Sequence, residues 1–360
     1  MVAAWKYRYP EADRKGSVGP GEKAMVSAQP SYEEWVAVLV HDATAAPSLH
    51  NAQPWRFRYF QGSHTFHLRS DPARAVTHTD PHGRALHIGC GAALMNQRVA
   101  AGHDGWHPQT RLLPDPREAE LLASVQLTAL GGGSSALGVL YPAIHRRHTS
   151  RYPFEETEIP EAVQTVLTDA ARHEGASLTF PTGWHLNEVL ELAREAEARN
   201  ITDHTRTTDL AQWTHGGVPF SDTESEGVPQ YAFGPRKLGG KAPMRDFAGD
   251  RPVVGRAAAE FEHHPHLALL STDRDHPQDW LHAGQAMQRV LLLATLHGLC
   301  SSFAAQPLEW ADLRWPLRDP VTGTGHVQMV LRLGYGPSGP ATPRRPIREV
   351  LDIEQGTPNS

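Results

Sequence analysis

Six consecutive residues, Arg146-Arg147-His148-Thr149-Ser150-Arg151, put three guanidiniums, two hydroxyls and an imidazole on one short loop. Guanidiniums grip phosphate oxygens in pairs and hydroxyls add donors, so this loop suits a phosphate dianion. Arg147, Thr149 and Arg151 alternate, and an extended loop presents alternating residues on one side. The alternative is a solvated basic loop. About a hundred residues upstream, Pro47-Ser48-Leu49-His50-Asn51-Ala52-Gln53-Pro54-Trp55 offers hydroxyl, imidazole and amide groups beside a tryptophan. That set suits a planar, hydrogen-bonding heterocycle, because Asn51 and Gln53 each donate and accept. Capping of the turn at Pro54 is the competing use for both amides. Together the two segments describe a holder for a nucleotide-like cofactor.

Composition narrows the class. With 39% hydrophobic and 21% charged residues over 360 positions, a packed core is feasible and global disorder is not expected. The net charge of -6 argues against a nucleic-acid binder, which needs clustered Lys and Arg to release counterions. The longest apolar run, Val290 to Leu296, is far too short to span a bilayer. Met1 to Ser27 lacks the apolar region of a signal peptide. The expectation is a cytoplasmic protein with an N-terminal extension over residues 1–30. Cys90 and Cys300 read as reduced thiols, with a disulfide as the alternative. The 22 histidines show no metal-ligand spacing. His263-His264-Pro265-His266 and His103 with His107 lack supporting Cys or carboxylates, so no metal site is expected. Gly89-Cys90-Gly91 is not a dinucleotide fingerprint, since Leu94 stands where a third small residue is required.

The elements that must position these groups follow from periodicity. Trp35, Val36, Val38, Leu39 and Ala43 recur at helical spacing from Tyr32, with Ser31 as a cap. Trp55–Tyr59 and Thr65–Arg69 alternate as strands, and a helix runs from about Ala85 to Ala101. A strand is expected at Leu122–Leu127. Helices follow Pro160 and Leu186, strands cover His266–Ser271 and Val327–Leu333, and a helix spans Trp280–Leu296. Residues 201–250 show no sustained period and read as a lid carrying Trp213, Phe220, Tyr231 and Phe233.

Two of the helices resemble each other. Gly91 to Gly105 and Gly284 to Gly298 have the same spacing, Ala93 matches Ala286, and Ala101 matches Ala294. This reads as a duplicated unit whose small-residue faces pack against each other. Chance similarity of two small-residue-rich helices is the alternative. The basic loop precedes only the second copy and the Pro47–Trp55 cluster follows only the first helix, so one complete site needs both.

On these residues the chain resembles the nitroreductase family, and in particular its Acg-like branch, from about Tyr32 to Ile353. The family's basic Arg-x-Ser-x-Arg/Lys loop is similar to Arg147-His148-Thr149-Ser150-Arg151. Its Pro-Ser-x-x-Asn-x-Gln-Pro-Trp is matched by Pro47 to Trp55, and its C-terminal basic motif by Thr342-Pro343-Arg344-Arg345-Pro346, where the Lys is missing. Further likeness lies in Asp279–Ala286, Ser302–Glu309 and Gln328–Gly336. The resemblance implies an α+β nitroreductase fold, duplicated and fused as an intrachain pseudo-dimer, with halves at 31–135 and 136–360. It implies one FMN, with the phosphate on Arg147, His148, Thr149, Arg151, Arg344 and Arg345. The ring would then meet Ser48, His50, Asn51, Gln53, Ser302 and Gln306. Flavin chemistry needs no residue as nucleophile, and none is assigned a catalytic role. The expected function is an FMN-dependent oxidoreductase that, with NAD(P)H as a candidate donor, acts on a small nitro, quinone or other acceptor, or that oxidises a small biosynthetic substrate. The alternative is a non-catalytic FMN-sequestering protein with a closed lid. Further oligomerisation is left open.

Overall fold

The computed structural model describes residues 32–131, 135–216, 225–249, 251–319, 321 and 325–358. The expected N-terminal extension, Ser31, Phe220 and part of the expected lid lie outside them. The first copy runs α1 (Tyr32–Thr44), β1 (Trp55–Phe60), β2 (Thr65–Ser70), α2 (Arg84–His103), β3 (Trp106–Leu112) and β4 (Leu121–Ala129). The second begins with α3 (Glu161–His173) and β5 (Ser177–Thr179). An insertion follows, with helices α4 (Gly183–Thr202) and α5 (His204–Gln212). It also holds four short strands: β6 (Thr214–His215), β7 (Val228–Pro229), β8 (Arg236–Gly239) and β9 (Ala258–Glu260). The copy resumes with β10 (His266–Thr272), α6 (Pro277–Leu296), β11 (Cys300–Phe303), a short α7 (Ala311–Arg314) and β12 (His326–Gly334). It closes with α8 (Ile347–Val350) and β13 (Leu351–Glu354).

The fold is α+β, and the repetition seen in two helices extends to both sheets. One sheet has the order β13-β1-β2-β4-β3 and the other β5-β10-β12-β11. Without β13 the two orders are the same, position for position. The β2/β4 ladder shifts register between Leu68 and Arg69, and the equivalent β10/β12 ladder shifts between Leu270 and Ser271. Each central helix ends before a glycine with positive φ, Gly105 at 82° and Gly298 at 78°. There glycine avoids the Cβ penalty of the left-handed region.

The central helices cross at equivalent residues. A Cβ on Gly91 would stand 2.5 Å from the Leu281 carbonyl oxygen, and one on Gly284 would stand 2.1 Å from that of Ile88. Ile88 precedes Gly91 by the same three positions as Leu281 precedes Gly284. Such reciprocity is what a two-fold contact requires. Gly91 of the discarded Gly-x-Gly pattern thus serves helix packing. One apolar core runs through both copies, from Val36, Leu39, Val40 and Ala43 on α1 to Val290, Leu291 and Ala294 on α6.

Residues 201–250, expected to show no sustained period, contain a regular helix, α5, whose Asp203 side chain caps it by accepting from the Thr205 and Arg206 amides. The helix expected from about Leu186 is α4. Across the boundary expected at residue 135, β13 from the C-terminal end pairs in parallel with β1 of the first sheet. Both cysteines are free thiols. No helix among the described residues is long and apolar enough to cross a membrane.

Candidate functional site

The loop after α1 is held in an uncommon backbone conformation. His50, Asn51 and Gln53 have φ of 49°, 57° and 53°, a left-handed region that non-glycine residues seldom adopt. Neighbours hold it there. The Ser48 hydroxyl accepts from the Gln53 amide at 2.9 Å. The Asn51 side chain donates to the Gly227 and Pro343 carbonyls and accepts from Arg344. Strain held this firmly marks a functional loop.

That loop, the basic loop before α3, the β11–α7 turn and part of the insertion enclose a cavity of about 670 Å³. Of the twelve expected site residues, ten line it: Ser48, His50, Asn51, Arg147, His148, Thr149, Arg151, Ser302, Gln306 and Arg344. Arg147, Thr149 and Arg151 reach it together, but His148 between them reaches it too, so strict alternation does not describe the loop. Ser150 points away and donates to the Pro337 carbonyl. Arg146 is exposed and does not line the cavity. The basic loop therefore supplies two guanidiniums, not three.

Gln53 and Arg345 do not line the cavity. The Gln53 amide group bonds the Ser225 carbonyl and the Arg345 backbone amide, and Arg345 faces Asp71 at 3.4 Å. They brace the loop from behind. Asn51 lines the cavity; its Nδ2 donates to two carbonyls and its Oδ1 accepts from Arg344. Trp213, Tyr231 and Phe233, aromatics expected on the lid, do not line the cavity either. Trp213 packs with Ala52 and Val76, Phe233 with Phe247, and Tyr231 donates to the Ala341 carbonyl. The insertion meets the cavity through Val228, Met244, Arg245 and Phe247 instead. No local sequence signal singles these out.

Among the described residues, two that line the cavity have buried polar atoms without partners. Arg147 is 3% exposed; its Nη2 donates to the Ala45 carbonyl at 3.1 Å, while Nε and Nη1 have none. Burial, with Arg344 beside it, pushes its guanidinium down to about 9. Both side-chain atoms of Gln306 are likewise unpartnered. Buried polar groups in native proteins are almost always bonded, so each points to a ligand. Arg344 differs, since its nitrogens meet the Thr44, Ala45 and Ala46 carbonyls and Asn51.

Electrostatics over the cavity favour an anion. Burial and the guanidiniums of Arg245 and Arg151 hold His50 well below the ordinary histidine range. Its Nε2 lies 3.3 Å from Arg245 Nη1, as for a neutral, accepting imidazole. Burial, then Arg147 and Arg344, bring His148 down to about 4. Phe247 lies under the Arg151 guanidinium at 4.6 Å and edge-on to His50. The insertion is tied to the cavity wall by Glu309, which meets Arg245 and Arg206. Burial raises the Glu309 carboxyl, and both guanidiniums oppose that.

The loop after α3 carries different groups from the loop after α1. Glu174, just after α3, is buried and pairs with Arg98 at 2.6 Å and Arg289 at 2.7 Å. Elsewhere, His41, Asp42 and His145 bring ligand atoms within 4.8 Å of one another, although no metal site is expected from the sequence. His145 bonds Asp42 at 2.5 Å, and that hydrogen bond accounts for the grouping.

The nitroreductase family model matches residues 144–335, more than half of the chain. Two Mycobacterium tuberculosis (strain H37Rv) relatives are named "Putative NAD(P)H nitroreductase Rv3131" and "Putative NAD(P)H nitroreductase acg". The first is 31% identical over 93% of this chain and 95% of its own length. The second is 28% identical over 86% of this chain and 93% of its own length. Among solved structures, the FMN-dependent nitroreductase NfnB from Mycobacterium smegmatis in complex with NADPH aligns at 19% identity and a TM-score of 0.38. It covers 59% of this chain and 96% of NfnB, a likeness too loose to carry an argument. From the family match and the full-length relatives, the chain belongs to the nitroreductase family, on its Acg-like branch.

Proposed function

We propose that this chain is an FMN-dependent oxidoreductase that takes electrons from NAD(P)H and delivers them to a small nitro, quinone or related acceptor. The observation that carries the reading is the pair of unpartnered groups on one cavity, the Arg147 guanidinium and the Gln306 amide. One suits a phosphate and the other a heterocycle edge. FMN supplies reversible two-electron chemistry between a nicotinamide donor and an acceptor.

The chain's own part is to bind, orient and exclude water. Arg147, with His148 and Thr149 beside it, would hold the phosphate. Arg344 would act mainly by fixing the Ala45 backbone and the Asn51 side chain around that end. Gln306 and Ser302 would meet the ring's polar edge. Phe247, Ile88 and neutral His50 would form its walls. Burial and the neighbouring guanidiniums favour the neutral form of His50 and His148, a poor proton donor, so solvent is the proton source in this reading. The first copy provides Ser48 and His50 and the second provides the basic loop and Gln306. We therefore read the fold as a fused pseudo-dimer with one working site. Free thiols fit a reducing, cytoplasmic setting.

The test is anaerobic titration of the purified, FMN-loaded protein with NADH and NADPH. Bleaching of the flavin absorbance by either is expected, with reoxidation by a nitroaromatic or a quinone. A flavin that dithionite bleaches and neither nicotinamide does would sink the oxidoreductase reading and leave FMN storage in its place.

A further inference from the structure

The cavity continues past the groups assigned to FMN, to the N-terminal end of α2. Arg84, the first residue of that helix, lines it and is 8% exposed. Among the described residues its hydrogen bonds leave from Nη1 alone, to the Gln328 carbonyl at 2.6 Å and, more distantly, to Oε1 of the same residue. Burial, with Arg314 nearby, brings its guanidinium down to about 10. A desolvated cation with unused donors calls for an anion.

The carboxylates nearby are already engaged. Asp275 accepts from both terminal nitrogens of Arg314 at 2.8 and 2.9 Å, from Trp280 Nε1 at 2.7 Å and from Gln328 Nε2 at 3.0 Å. Asp80 accepts from the Leu86 amide at 2.9 Å. Neither forms an ion pair with Arg84. The charges that act on Arg84 are Arg314, Asp80, Asp275 and Glu309, whereas Arg147 feels Arg344, and His148 feels Arg147, Arg344 and His145. Arg84 and Arg314 thus stand among Asp80, Asp275 and Glu309 at one end of the cavity, in a setting separate from the basic end at Arg147. Beside Arg84, the rings of His87 and Trp280 meet edge-to-face, 5.4 Å apart at 69°, and both line the cavity. A planar group fits against such a wall.

We infer that Arg84 anchors the carboxylate of the electron acceptor, so that the acceptor class is a planar aromatic acid. This deepens the oxidoreductase reading and rests on it. Arg84 at the positive end of α2 sets which acceptor is preferred, while Trp280 and His87 receive the ring. The phosphate end keeps FMN in place and does not contribute to that preference.

The experiment compares 4-nitrobenzoate with neutral 4-nitrobenzamide as acceptors for the NADPH-reduced holoprotein. The wild type is expected to have a KM for the acid about tenfold below that for the amide. Arg84→Gln should raise the KM for the acid about tenfold or more, the scale of one hydrogen bond to a charged group, and the amide KM less than about twofold. Arg84→Lys should restore part of the difference. Equal changes for both acceptors would make Arg84 merely structural. A raised NADPH KM would assign it to the donor's phosphates, and lost FMN would assign it to the cofactor; each overturns the inference. A parallel titration of oxidised holoprotein with benzoate, followed by the flavin absorbance, separates the two readings. Benzoate binding lost in Arg84→Gln supports the anion site even if no nicotinamide reduces the flavin, and no binding to the wild type rejects it.

Discussion

Replacing Arg147 by Met deletes the charge and keeps most of the side chain's volume. In the free protein one of its nitrogens bonds the Ala45 carbonyl and two buried ones bond nothing. A phosphate placed there gains up to two charge-assisted hydrogen bonds, each worth about 1.5–3 kcal/mol. The desolvation of the guanidinium is already met in the free protein, so little of that gain is cancelled on binding. Arg344 cannot take over, since its donors are committed to carbonyls and Asn51. The expected loss is therefore about 3 kcal/mol, or roughly 150-fold in the Kd for FMN. The Ala45 carbonyl keeps its bond from Arg344 at 3.2 Å, so the fold should tolerate the change. Loss of an unpaired buried cation should leave the apoprotein at least as stable as before. Fluorescence titration of apoprotein with FMN and with riboflavin, which lacks the phosphate, is the assay. Riboflavin affinity should move by less than about threefold, far below one charge-assisted bond. Equal losses for the two ligands, or an FMN loss that small, would refute the placement of the phosphate on Arg147.

The helix crossing predicts that Gly284→Ala destabilises by about 2–3 kcal/mol net. Overpacking against the Ile88 carbonyl outweighs the gain of about 1 kcal/mol in helix propensity, and urea unfolding reads the sum. An unchanged midpoint would mean the helices do not cross here. Phe247→Ala should speed flavin reduction by dithionite severalfold in stopped flow if Phe247 walls the ring; equal rates at full FMN occupancy would remove it from the wall. Acidification should weaken the apoprotein between about pH 6.5 and 4. His50 and His148 resist protonation when folded but take protons near 6.5 when unfolded, so the unfolded state binds more protons in that window. Urea midpoints at pH 7 and 5 should differ, and the difference should shrink in the His50→Gln/His148→Gln variant.

What was legible in the sequence was local in origin. The duplication announced itself because close helix crossing demands small residues at fixed positions, and Gly91 and Gly284 carry that demand in their identity. Alternation along the loop anticipates Arg147, Thr149 and Arg151 at one cavity, but not His148, which lines it as well. The strand β13 gave no such signal: its partner, β1, lies nearly three hundred residues away, and parallel pairing at a sheet edge asks little of four residues. Helix α5 was missed because its surface is almost wholly polar, although Asp203 ahead of Thr205 and Arg206 was a readable cap.

The errors at the site have one physical cause. Residue type says what a side chain can bond, but the surroundings decide what it does bond. Asn51 and Gln53 were rightly seen as donors and acceptors, yet Gly227, Ser225, Pro343 and Arg345 reach them first. Those partners come from the insertion and the C-terminal segment, whose approach no nearby residue foretells. The groups left free are the ones whose neighbours were already satisfied. Arg147 faces carbonyls shared with Arg344, Gln306 sits where no partner arrives, and Arg84 stands beside an Asp275 that four other donors have filled. In this fold a binding group is therefore recognised by which bonds remain unmade after packing, and that remainder exists only once both copies have come together.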